Sequence, residues 1–77
     1  GQFIGILDRN GKRIFEGDVI RFHAFRDEPD WVGVVGYDER LCLYLLYGFI
    51  PNGGGPFEVQ VSSKDKSTFE VIDVKEI

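Results

Sequence analysis

The chain opens on two short apolar runs, Phe3–Leu7 and residues 12–15, separated only by Asp8-Arg9-Asn10-Gly11 and followed at once by Glu16-Gly17-Asp18. Runs of this length around an Asn-Gly step predict an antiparallel hairpin, because Asn-Gly accepts the positive φ angles of a tight turn. Gly17 permits a sharp change of backbone direction, and the Asp18 carboxylate is placed to cap the turn that follows. Asp8, Asn10, Gly11, Glu16, Gly17 and Asp18 are therefore read as structural turn residues.

Strand signals continue to the C-terminal end. Phe57, Val59 and Val61 alternate with Glu58, Gln60 and Ser62, the period-two pattern of a half-buried strand. Residues 19–25, 31–37 and 41–47 read as further strands. Pro29 marks the polar loop between the first two, and Asp38-Glu39-Arg40 turns the chain into the third. Gly33 and Gly36 predict strong bending or close approach of another backbone. Residues 48–56 form the longest irregular stretch, and residues 57–61 and 68–74 read as a closing hairpin around a turn at 62–67. A helix needs apolar residues at i, i+3 and i+4 over ten or more positions. No segment holds that pattern without an interrupting Gly or Pro or a dominance of β-formers.

These 77 residues make one domain, and so short a chain buries only about 60% of its unfolded surface. Cys42 is the single cysteine, so no disulfide forms within the chain. With one histidine beside it, a four-ligand zinc site is not expected either. Stability must come from aromatic packing or self-association; seven Phe, three Tyr and one Trp supply the first. Short strands with tight turns and no covering helices imply edges removed by closure. The expected fold of residues 1–77 is all-β, a small SH3-like, strongly bent antiparallel barrel of about five to seven short strands. The chain contains no Met and starts at Gly1, so a native N-terminal segment is expected to be missing.

Charge and motifs narrow the function classes. The net charge is −4, and the basic residues are scattered among acidic ones: Arg26 beside Asp27 and Glu28, Lys64 and Lys66 around Asp65. General affinity for DNA or RNA is disfavoured. No apolar run reaches the roughly 18–20 residues needed to span a bilayer, and no signal peptide is present, so a cytoplasmic location is expected. Asp8 starts no calcium loop, because Lys12, Arg13 and Val19 stand where an EF-hand needs an oxygen ligand, Gly and Glu. Glu16 and Asp18 read as capping and solvated groups rather than an acid–base pair. His23 lies in a strand, and Cys42, among Leu41, Leu43 and Tyr44, reads as a small core residue, so the two make no dyad. Gly53-Gly54-Gly55 leads into Pro56 and a strand, not into the helix of a phosphate loop. No catalytic, cofactor-binding or metal-binding residue is assigned.

The aromatics exceed what so small a core can centre. Phe22, Phe25, Trp31, Tyr37, Tyr44, Tyr47, Phe49 and Phe57 compete for it, and Trp31, Tyr47 and Phe49 lie next to loops. Those three are the candidate interaction surface.

The stretch from Gly5 to Ile20 resembles the YopX family, whose pattern is Gly-Leu-x-Asp-x-Asn-Gly-x-x-Ile-Tyr/Phe-Glu-Gly-Asp-Ile/Val. Val32-Gly33-Val34-Val35-Gly36-Tyr37-Asp38 is similar to its Gly-Val-Val-x-Tyr segment, and Phe69-Glu70-Val71-Ile72 to its Glu-Val-Ile close. Here Asp73-Val74-Lys75-Glu76-Ile77 replaces the family's Gly-Asn and acidic, Pro-containing tail. The resemblance implies a phage or prophage protein acting in the bacterial host cell, able to self-associate, with no established catalytic residues to carry over. The expected function is a non-enzymatic protein-interaction or self-associating module. The alternative is a nucleic-acid-binding barrel that stacks bases on its aromatics and uses Arg13, Arg21, Arg26 and Arg40 as phosphate contacts.

Overall fold

Among the described residues seven strands run in order: β1 (Phe3–Leu7), β2 (Arg13–Phe15), β3 (Val19–Phe22), β4 (Trp31–Asp38), β5 (Leu43–Ile50), β6 (Gly55–Gln60) and β7 (Phe69–Val71). Two short 3₁₀ turns, Pro51–Gly53 and Ser63–Thr68, flank β6. The computed structural model describes residues 1–72, with the backbone alone at 65–67. Strands β1 and β2 pair with each other, and the other five form one antiparallel sheet in the order β6-β5-β4-β3-β7. The fold is all-β, and its topology is consistent with the SH3-like expectation.

The core forms because period-two alternation sends one side chain in two to the same face. In β4, Gly33 and Val35 are buried while Val32 and Val34 are exposed. Ile14, Ile20, Val35, Leu46, Phe57, Val61 and Phe69 close into one buried cluster, with Ile4 and Ile6 of β1 packed against it. Each such side chain contributes about 1.5–3 kcal/mol on leaving water. Gly33 of β4 faces Gly48 of β5. A Cβ on Gly33 would lie 2.5 Å from the Tyr47 carbonyl oxygen and 2.9 Å from Leu46 Cγ. The predicted close approach of another backbone is therefore found, and the Phe57 ring fills the space over Gly48.

Four local expectations are corrected. The closing hairpin does not form: β6 pairs with β5 and β7 with β3, so the two lie at opposite edges of the sheet. The 3₁₀ turn carries the chain across, and Phe69 is buried by stacking on Phe22, with centroids 5.2 Å apart. Residues 73 and 74 of that expected strand lie outside the described residues. Strand β3 ends at Phe22 rather than at 25; His23 N–H donates to Thr68 O at 2.9 Å and Ala24 N–H turns back to Phe22 O at 3.1 Å. Residues 48–50, expected to be irregular, complete β5 because their partners 55–57 continue the ladder. Cys42 is not in the core: it is exposed, in the turn before β5, with φ +56°.

The first hairpin is present, with a different turn from the one expected. Asp8 N–H donates to Lys12 O at 2.7 Å and Gly11 N–H to Asp8 O at 3.1 Å, so the Asp8–Lys12 pair closes a three-residue loop of Arg9, Asn10 and Gly11. Gly11 alone takes a positive φ, +78°, and Asn10 does not. Asn10 N–H instead donates to Asp8 Oδ1 at 2.8 Å, a side-chain turn that holds Asn10 in an ordinary conformation.

Candidate functional site

The outer face of the large sheet, opposite the core, is built from the alternate residues of its strands. Tyr47 stands across from Val34 of β4 and Glu58 of β6; Phe49 stands across from Val32 and Pro56. Phe49 is 74% exposed, Val34 47% and Val32 36%. Tyr47 is half-buried because its ring lies over Gly36, where a Cβ would come within 2.9 Å of Tyr47 Cε2. The result is a contiguous apolar stripe across β4 and β5.

The three aromatics of the sequence-based surface are not brought together. Tyr47 and Phe49 share the outer face. Trp31 lies on the inner face at the start of β4, half-buried against Phe57 at 4.8 Å, Phe22 at 6.0 Å and Phe25 at 5.8 Å. Val32 and Val34 belong to the stripe and were missed. Their signal was legible: Trp31-Val32-Gly33-Val34-Val35 is apolar on both faces, the pattern of a strand covered on both sides.

Charges border the stripe unequally. On the β6 side stands Glu58. Burial pushes the Tyr47 hydroxyl above its ordinary pKa of 10.0, and the Asp38 and Glu58 carboxylates push it further. On the β3 side Arg21 is engaged: its Nη1 donates to Glu70 Oε1 at 3.1 Å, and its Nε lies 4.0 Å from Asp30 Oδ2. Asp30 Oδ1 also meets His23 Nδ1 at 2.6 Å.

The turn residues hold the hairpin to the sheet. Asp8 is 2% exposed. Its Oδ1 accepts the N–H groups of Asn10 and Lys12, both at 2.8 Å, and its Oδ2 accepts Val71 N–H at 2.9 Å. Asp18 Oδ2 caps Phe15 N–H at 2.9 Å. Gly17, at φ +93°, donates its N–H to Val35 O at 2.8 Å, and Glu16 N–H reaches Gln2 O at 2.8 Å. These carboxylates are spent on backbone donors. An open groove of about 600 Å³ beside them is walled by Lys12, Arg13, Phe15, Asp18, Val19, Val71 and Ile72. His23 follows Phe22, which pairs with Trp31 at the start of β4, and Cys42 precedes Leu43, which pairs with Asp38 at its end.

The fold and this surface define a small antiparallel β protein with an exposed apolar stripe on its main sheet. The chain belongs to the YopX family: the family model described as YopX protein matches residues 1–73. No curated protein and no solved structure matches it. Among the described residues, no helix is long and apolar enough to cross a membrane.

Proposed function

We propose that this chain is a non-enzymatic binding module of phage or prophage origin, working in the host cytoplasm, whose outer sheet face docks on protein. The observation that carries this is the stripe itself. Single exposed apolar side chains are ordinary, but Val32, Val34, Tyr47 and Phe49 are cross-strand neighbours, and a contiguous patch marks an interface. The partner is a second copy or another protein. A nucleic-acid partner has less support, because the net charge is −4 and Arg21 is already held by two carboxylates.

The test compares the native chain with Phe49→Asp by size exclusion with light scattering and by pull-down from host lysate. Because Phe49 is 74% exposed, this substitution leaves the melting temperature nearly unchanged. Association or capture should be present in the native chain and lost in the variant. A native chain that stays monomeric and captures nothing overturns the reading.

A further inference from the structure

The two edges of the five-stranded sheet differ in what covers them. At the β7 edge, Arg9 N–H donates to Phe69 O at 3.0 Å and Val71 N–H to Asp8 Oδ2 at 2.9 Å, so the first hairpin occupies that edge. At the other edge, β6 pairs with β5 and with no other strand among the described residues.

The register says which groups the β6 edge presents. Val61 N–H donates to Tyr44 O at 3.0 Å, and the ladder runs on in step from Leu45↔Gln60 to Ile50↔Gly55. In an antiparallel pair such bonds recur at every second residue, so Val59 and Phe57 also turn their backbone groups to β5. Glu58 and Gln60 therefore turn their N–H and C=O groups away from the sheet. Pro56, which has no N–H, occupies the next outward position, where none is needed. Pro56 and the charge of Glu58 stand on this edge, but it holds no lysine, and no further strand among the described residues pairs with it.

We propose that the free edge of β6 is a strand-addition site that takes an extended partner segment alternating apolar and basic side chains, with a cation opposite Glu58. This rests on reading the chain as a binding module and adds where and how the partner is held. The backbone groups of Glu58 and Gln60 supply the main-chain hydrogen bonds of the added strand. Glu58 is exposed on the outer face, and the residue directly opposite it in a ladder is a close neighbour, so a lysine or arginine there is favoured. On the inner face Val59 is only half-buried, and an apolar residue across from it completes its cover. The acidic net charge of −4 draws a basic segment toward the protein. A second copy fits less well: Gly55-Pro56-Phe57-Glu58-Val59-Gln60 holds no cation, and pairing centred on Glu58 opposes two carboxylates.

The experiment is a fluorescence-anisotropy titration with two labelled peptides, one alternating lysine with valine and one alternating glutamate with valine. Amide hydrogen exchange with and without peptide is followed by NMR. The lysine peptide should bind and slow exchange at Glu58 and Gln60. Glu58→Lys should reverse the preference between the peptides, by roughly tenfold. Gln60→Pro removes an N–H that the β5–β6 ladder does not use, so it should abolish binding of both peptides with the melting temperature kept. If that variant does not fold, the Glu58→Lys reversal and the exchange map decide the matter. Phe49→Asp should leave peptide binding intact, so failure at the edge and failure of the sheet-face reading are told apart. The proposal is overturned by no binding of the lysine peptide at millimolar concentration. It is equally overturned by undiminished binding to a folded Gln60→Pro, by protection elsewhere than on β6, or by a peptide-free dimer that Gln60→Pro dissolves.

Discussion

Val71 N–H donates to Asp8 Oδ2 at 2.9 Å across 63 positions of sequence. With its other oxygen the same carboxylate organises the first turn, so one buried side chain ties the start of the domain to its last described strand. The bond also explains why an acid can be buried here: every donor that faces it is a backbone N–H with no strand partner to replace it.

Asp8→Ala should therefore be among the most damaging substitutions in the chain. It strands the N–H groups of Asn10, Lys12 and Val71, and the expected loss is about 3 kcal/mol. Asp8→Asn keeps an acceptor for the turn but sets an amide against one donor, and should cost about half as much. Urea unfolding monitored by Trp31 fluorescence measures both. An Asp8→Ala protein as stable as the native chain contradicts the hub role.

Acid should act through the same group. Burial pushes the Asp8 carboxyl up, but the N–H groups of Val71, Lys12 and Asn10 and the charge of Lys12 together bring it below its ordinary 3.8. A folded-state pKa below the unfolded value means the stabilisation is present above pH 3.8 and is lost as pH falls from there through the folded value. Asp8→Asn should flatten the fall in stability below that pH, read as urea midpoints at a series of acidic pH values. An unchanged slope would falsify the assignment.

Gly33→Ala should cost more than Gly36→Ala. A Cβ at Gly33 meets backbone, the Tyr47 carbonyl oxygen at 2.5 Å, whereas at Gly36 it meets the edge of the Tyr47 ring at 2.9 Å. A ring can swing outward and a ladder cannot, so the expected losses are about 3 and about 1 kcal/mol. Denaturant midpoints separate them, and equal midpoints would count against the register between β4 and β5.

Cys42 should behave as a reactive surface thiol in the folded protein. Labelling by a thiol reagent in native buffer should proceed as fast as in denaturant. Cys42→Gly should raise stability by about 0.5–1 kcal/mol, because φ +56° strains any residue with a Cβ. Slow native labelling, or a lower melting temperature for Cys42→Gly, would contradict the exposed turn.

Strand existence was legible because it depends on neighbours in sequence. The alternation of Phe57, Val59 and Val61 and the apolar runs around Asp8-Arg9-Asn10-Gly11 reappear as β6, β1 and β2 within a residue or two. Cys42 was misplaced because apolar neighbours say nothing about a turn. Leu41 and Cys42 extend an apolar run in sequence, yet Leu41 N–H bonds Asp38 Oδ1 at 3.0 Å and the chain is still turning there. Trp31 was grouped with Tyr47 and Phe49 because all lie near loops. Which face each one takes follows from the ladder between β4 and β5.

Local rules written into the sequence thus determined an all-β chain and the presence of its first hairpin. Only the tertiary structure decided that β6 and β7 part to opposite edges, that Asp8 reaches Val71, and that Val32 and Val34 join Tyr47 and Phe49. The physical reason is range. Alternation and turn propensity act between residues a few positions apart, whereas strand order is chosen by burial of Phe69, Ile14 and Ile20 together, a contact among distant parts of the chain.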